Sequence, residues 1–190
     1  MDVTPYDVRY HHSQRYPDDF QSRFLDLEPQ FIAWRRELHA VPELSFQEVQ
    51  TTEFLLKHLR SIPGLTIEQP TKTGVVAVLR GAHPGRTIAL RADIDALPIQ
   101  EETDLPFASK TPGVMHACGH DCHTAMLLGA ARILASHREE ICGTVKLIFQ
   151  MAEEIGRKSE EYVKRGALEG VDATFWNACV VQPGRGNRQF

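Results

Sequence analysis

The sequence predicts an α/β fold, and three observations carry that prediction. Gly74–Leu79 and Thr144–Phe149 are apolar, β-branched runs of the kind that form strands buried on both faces. Apolar residues at helical spacing bracket them, at Phe31–Leu38 and again at Met126–Leu134. The 190 residues are 42% hydrophobic and 24% charged, which suits one soluble globular domain or slightly more.

Residues 1–27 read as an N-terminal extension, polar over Met1–Phe24 and with no basic stretch leading into an apolar core. Phe31, Ile32, Trp34, Arg35 and Leu38 predict a first helix stopped by Pro42. Ser45 with Glu48 three residues later suggests a capping box for a second helix. Val49, Phe54, Leu55, Leu59 and Ile62 form its expected buried stripe, and Pro63-Gly64 closes it. The strand at 74–79 follows, then a turn at 81–85 and a second strand at 87–90. Asp93 and Asp95 come just past that strand, where sites are built in open α/β sheets. A helix is expected from His123 to Ala135, a strand over 144–149, and a short helix around Tyr162-Val163 that stops at Gly166.

A net charge of −4 gives no reason to expect a nucleic-acid or acidic-membrane partner, and runs such as Ala125–Ala131 are far too short to span a bilayer. Four cysteines are too few for a disulfide scaffold, so a reducing, cytoplasmic setting is expected.

The densest chemistry lies in His116-Ala-Cys118-Gly-His120-Asp121-Cys122-His123. Thiolate and imidazole are the usual ligands of zinc-like ions, and each is costly to bury without a partner. Cys118 and His120 can be aimed by one turn at one centre or at two adjacent ones. After the 144–149 strand, Glu154 is placed to add an oxygen ligand, and its neighbour Glu153 to stay free as a base. The acid pair also reads as an ordinary acidic first turn of a helix. A thiol redox pair of Cys118 and Cys122 is a further alternative, although their spacing is Cys-x-x-x-Cys.

Five segments carry a family resemblance, in order: Arg36-Glu-Leu-His39-Ala-Val-Pro42-Glu-Leu-Ser45-Phe46-Gln-Glu48, Arg91-Ala-Asp93-Ile-Asp95-Ala-Leu-Pro98, Met115 to Ala125, Leu147 to Glu154, and Gly166 to Ala173. Over roughly Glu28 to Phe175 the chain resembles the M20 metallopeptidase family in its amidohydrolase branch, which includes hippurate hydrolases, auxin-conjugate hydrolases and N-acetyldiaminopimelate deacetylases.

The resemblance implies the N-terminal part of a three-layer α/β/α, zinc-peptidase-like catalytic domain, spanning residues 28–175. It implies two divalent ions (Zn, Mn, Ni or Co) held by Cys118, His120 and Glu154. Glu153 is the implied general base on a metal-bridged water that attacks the amide of an N-acyl amino acid. Asp95, His116 and Asp121 are implied supporting residues, and full-length relatives are implied to be homodimeric.

The chain also departs from the family. Relatives run to about twice this length and carry a lid and dimerisation domain. Two histidine ligands of the family have no counterpart, since no His follows His137. Met151 replaces a usual Pro, and Ile155, Arg157 and Lys158 replace a Gly-rich run. Residues 176–190 read as a divergent tail; from Trp176, a one-nucleotide shift permits Gly-Met-His-Val-Trp-Ser, so a frameshifted tail on a truncated reading frame is expected. The alternative to an active amidohydrolase is therefore a catalytically inactive fragment, and exposed apolar surface is expected on Val75–Leu79 or Leu147–Phe149.

Overall fold

The computed structural model describes residues 18–156 and 159–176. The expected divergent tail lies outside these beyond Trp176, as do Arg157, Lys158, Cys179 and the first 17 residues of the expected extension. The elements in chain order are α1 (Asp18–Ala40), α2 (Val49–Arg60), β1 (Leu65–Glu68), β2 (Val75–Arg80), β3 (His83–Asp93), α3 (His120–Ser136), β4 (Cys142–Gln150), α4 (Ser159–Lys164) and β5 (Ala173–Trp176).

The five strands form one sheet in the order β1-β2-β4-β3-β5. The central pair β3–β4 is parallel, with Leu90 opposite Leu147 and Asp93 opposite Gln150. β5 adds in parallel to β3, whereas β2 runs antiparallel to β4 and β1 antiparallel to β2. Side chains alternate across the sheet. Leu90 faces α3, beside His123, Met126 and Leu127, while Arg91 and Ile148 face Tyr162 and Leu168 on the other side. Helices α1, α2 and α3 thus cover one face, and α4 with the turn after it covers part of the other.

The core follows from the apolar runs. Val75–Leu79 and Leu147–Phe149 are buried and pack with Leu55, Leu59, Leu128 and Trp34. The expectation of exposed surface on those two strands is therefore corrected: both are interior strands flanked by partners on each side. Apolar exposure falls instead on β5, where Phe175 is 59% and Trp176 65% exposed.

Several boundaries differ from expectation. Residues 18–27 of the expected extension are helical and form the first turns of α1. In α2 the buried residues are Thr51, Thr52, Leu55 and Leu59, and Val49 is exposed. The capping box does not form: the Glu43 carboxylate accepts from the Gln50 and Thr51 amides (3.0 and 2.8 Å), and Ser45 and Glu48 turn elsewhere. Helix α3 begins at His120, three residues earlier than expected.

Two short bridges tie loops to the sheet end. Leu44 pairs with Ala96, and Leu97 pairs with Met115. They bring the loops before α2 and before α3 over the C-terminal ends of β3 and β4, where the candidate site lies.

Candidate metal centre

Three chain segments converge at the end of the parallel pair. β3 ends at Asp93 and turns into Asp95; β4 ends at Gln150 and turns into Glu153-Glu154; the third segment, Cys118–His120, enters α3. Gly119 stands between Cys118 and His120 with φ of +86°, a left-handed conformation that L side chains resist. That turn lets both side chains reach one place. One donor atom from each of Cys118, His120 and Glu154 lies within 4.8 Å of the others. Among the described residues, these three form the one such group of potential ligands.

The donors are oriented from behind. His120 donates from Nδ1 to the Asp95 carbonyl (2.9 Å), which leaves Nε2 to face Glu154 Oε1 at 3.8 Å and Glu153 Oε2 at 4.0 Å. Asp95 Oδ2 accepts from the Ser45 hydroxyl (2.7 Å) and the Glu154 amide (3.0 Å). Burial alone would raise the Asp95 carboxyl, but bonds from His120, the Glu154 amide and Ser45 outweigh it and hold it below the ordinary range. Burial likewise pulls His120 down, yet Asp95 and Asp93 hold it at about 8.

The donor set fits a cation. Glu154 Oε1 is buried with no hydrogen-bond partner. Loss of solvent, followed by the carboxylates of Glu154, Glu153 and Asp93, pushes the Cys118 thiol up to about 11. Burial pushes Asp93 up to about 6 despite its ion pair with Arg91. A divalent ion reverses this logic, because it stabilises the anions that otherwise repel each other.

The other expected residues sit close by. Asp121, buried, accepts from His39 Nδ1 (2.7 Å) and pairs with Arg35 Nε (2.8 Å). His116 is buried with neither ring nitrogen hydrogen-bonded, and loss of solvent lowers it to about 4. Cys118 and Cys122 form no disulfide with each other.

Sequence reasoning missed three supports. Glu48 is fully buried and accepts from Thr73 Oγ1 (2.8 Å) and the Ala152 amide (2.9 Å). His39 bridges Asp121 and Glu101, and Glu101 is further bound by Thr103 and the Ser109 amide. Ser45 reaches Asp95 instead of capping α2. His39, Ser45 and Glu48 all lie in the first resembling motif, but their spacing fits a helix end and a cap, so nothing local signalled long-range partners.

Known proteins resemble this chain in sequence and in fold. The sequence profile of peptidase family M20/M25/M40 matches residues 89–190. The N-acyl-L-amino acid amidohydrolase of Geobacillus stearothermophilus is 55% identical over 151 residues, covering 79% of this chain and 41% of that protein. The N-acetylcysteine deacetylase of Bacillus subtilis is 52% identical over 145 residues, covering 76% and 38%. The crystal structure of the Bacillus subtilis YXEP protein, described as a dinuclear metal binding peptidase from the M20 family, superposes with a TM-score of 0.77 at 49% identity, covering 80% of this chain and 43% of that one. The chain thus spans about 40% of the length of the curated relatives it matches. With its ordered motifs, its sheet and its Cys-His-Glu cluster, the chain belongs to peptidase family M20/M25/M40.

Proposed function

We propose that the chain provides the Cys-His-Glu half of a two-metal amidohydrolase site acting on N-acyl amino acids. The observation that carries this reading is the convergence of the Cys118, His120 and Glu154 donors within 4.8 Å, with Glu153 beside them. The relatives' activities support the substrate class. Cys118, His120 and Glu154 hold an ion; a pair of such ions, when bound, supplies the Lewis acid that activates water and offsets charge developing on the amide oxygen. Glu153 does the proton work. It takes a proton from the attacking water and returns it to the departing amine; its side chain is 41% exposed and lies 4.0 Å from His120 Nε2. Asp95 keeps His120 in the tautomer that presents Nε2 and holds the Glu154 backbone in place. Asp121, in the first turn of α3, is held by His39 and Arg35, and His116 lies buried near His39.

The test is metal loading with turnover. The 190-residue chain is stripped with chelator, reloaded with Zn, Mn, Ni or Co, and assayed on hippurate and N-acetyl amino acids. Glu153→Gln is expected to keep its metal and lose roughly 10²–10⁴-fold in kcat. Metal uptake without turnover in the wild-type chain supports the inactive-fragment alternative. Absence of both from well-folded protein overturns the metal-site reading as well. Turnover that survives Glu153→Gln but disappears in Cys122→Ser favours thiol chemistry instead.

A further inference from the structure

We infer that Glu48 is a positioning residue for the acid pair: its buried carboxylate clamps the Ala152 amide and so sets the direction of Glu153 and Glu154. Four observations support it. Glu48 is fully buried, and burial raises its carboxyl, so it occupies this place at a cost in solvation. Its side chain accepts from two separate segments, the Thr73 hydroxyl at 2.8 Å and the Ala152 amide at 2.9 Å. Ala152 is buried and has φ of +56°, a left-handed conformation that a residue with a Cβ holds only when its surroundings fix it. Directly after it come Glu153 and then Glu154, whose own amide is bound by Asp95 Oδ2 at 3.0 Å.

The two acids therefore sit between two carboxylate clamps on the backbone, one at residue 152 and one at residue 154. Both clamps trace back to a single loop. Ser45 bonds the Asp95 carboxylate, and Glu48 lies three residues further along, after the left-handed Phe46 (φ +66°). The Ala96 amide donates to the Glu43 carbonyl at 2.8 Å, which anchors the same loop beside Asp95. The loop before α2, remote from the ligands in sequence, acts as a jig for the turn that carries them.

The chemical consequence rests on the metal-hydrolase reading; the geometric statement does not, so the test has two arms. In the first, amide hydrogen exchange is measured on wild type and Glu48→Ala. Wild type is expected to protect the Ala152 and Glu154 amides, and Glu48→Ala to lose protection at both while interior β4 amides keep theirs. Unchanged protection at 152 and 154 overturns the inference, whatever the metal does. In the second, cobalt(II) alone is titrated and the thiolate-to-cobalt band of Cys118 is followed. Glu48→Ala is expected to keep the band but reach half-saturation at roughly 10–100-fold more cobalt, as losses behind ligands commonly do. Glu48→Gln keeps an acceptor oxygen and is expected to recover most of that loss, which a merely space-filling role would not require. Equal cobalt affinity in wild type and Glu48→Ala overturns the inference. A wild type that takes up no cobalt overturns the metal reading and leaves the exchange arm to decide this one. Should Glu48→Ala fail to fold, Glu48→Asp keeps the charge and shortens the reach, and the same two readouts are expected to move.

Discussion

Asp95 concentrates the logic of the site in one side chain. Its backbone carbonyl takes the Nδ1 proton of His120, while its carboxylate takes the Glu154 amide and the Ser45 hydroxyl. It touches two proposed ligands without being one. Losing it should therefore move metal affinity more than fold. Asp95→Asn is expected to weaken cobalt binding by roughly 10–100-fold, read by titration of the stripped protein; wild-type affinity in that variant would sink the assignment. Glu48 works by the same chemistry on the opposite side of the acid pair. The resemblance flagged Asp95 as a supporting residue, but the role of Glu48 is not visible in a linear reading, because a carboxylate that serves a distant amide has the same one-letter code as one that caps its own helix.

At the scale of elements, α1 is locked to the N-terminus of α3 and to the loop that follows β3 through His39. Both ring nitrogens of His39 meet carboxylates, Asp121 at 2.7 Å and Glu101 at 3.3 Å, with Arg35 alongside Asp121. Burial works to lower the imidazole's pKa, but the hydrogen bond and charge of Asp121 win and raise it above the ordinary 6.5. The folded chain thus binds this proton more tightly than the unfolded chain does. The stability it contributes is fully present below about 6.5 and is lost as pH rises through the folded value. Against His39→Gln, the melting temperature of wild type is expected to hold its advantage at about pH 6 and to lose it toward pH 9; a gap independent of pH would show that His39 is neutral in the fold.

Legibility at this scale tracked the strength of the local pattern. β2 and β4 stood out because their apolar runs are continuous, whereas only residues 87–90 of β3 did, its first residues falling where a turn was expected. β1 and β5 are four residues each, too short for their few apolar side chains to set a period. The antiparallel pairing of β2 with β4 was equally hidden, since a strand buried on both faces reads alike in either direction. Helix α3 starts early because Gly119 makes the turn inside the ligand motif itself. For the site, the grouping of Cys118, His120 and Glu154 was expected from their chemistry, and the loop behind them was not.

For the molecule as a whole, β5 is an edge of the sheet among the described residues, and it ends in two exposed aromatics. Exposed apolar edge strands pair with other chains. The purified chain is expected to self-associate with rising concentration, and Trp176→Lys to reduce this, as followed by light scattering. Equal association in both would place the sticky surface elsewhere. The clamp between Glu48 and Ala152 has a kinetic side as well. It joins residues 104 apart in the chain, and the Ser45–Asp95 and Asp95–Glu154 bonds span 50 and 59. Contacts of such separation carry the full entropy of closing long loops, so they form only after the sheet has collapsed. The unfolded chain keeps the donors of His116–His123 close together but lacks Glu154 and the supports behind it, which lie far away in sequence. On the proposed metal reading, the ion affinity that the jig adds would be an increment of folded-state stability, less whatever the His116–His123 donors bind in the unfolded chain.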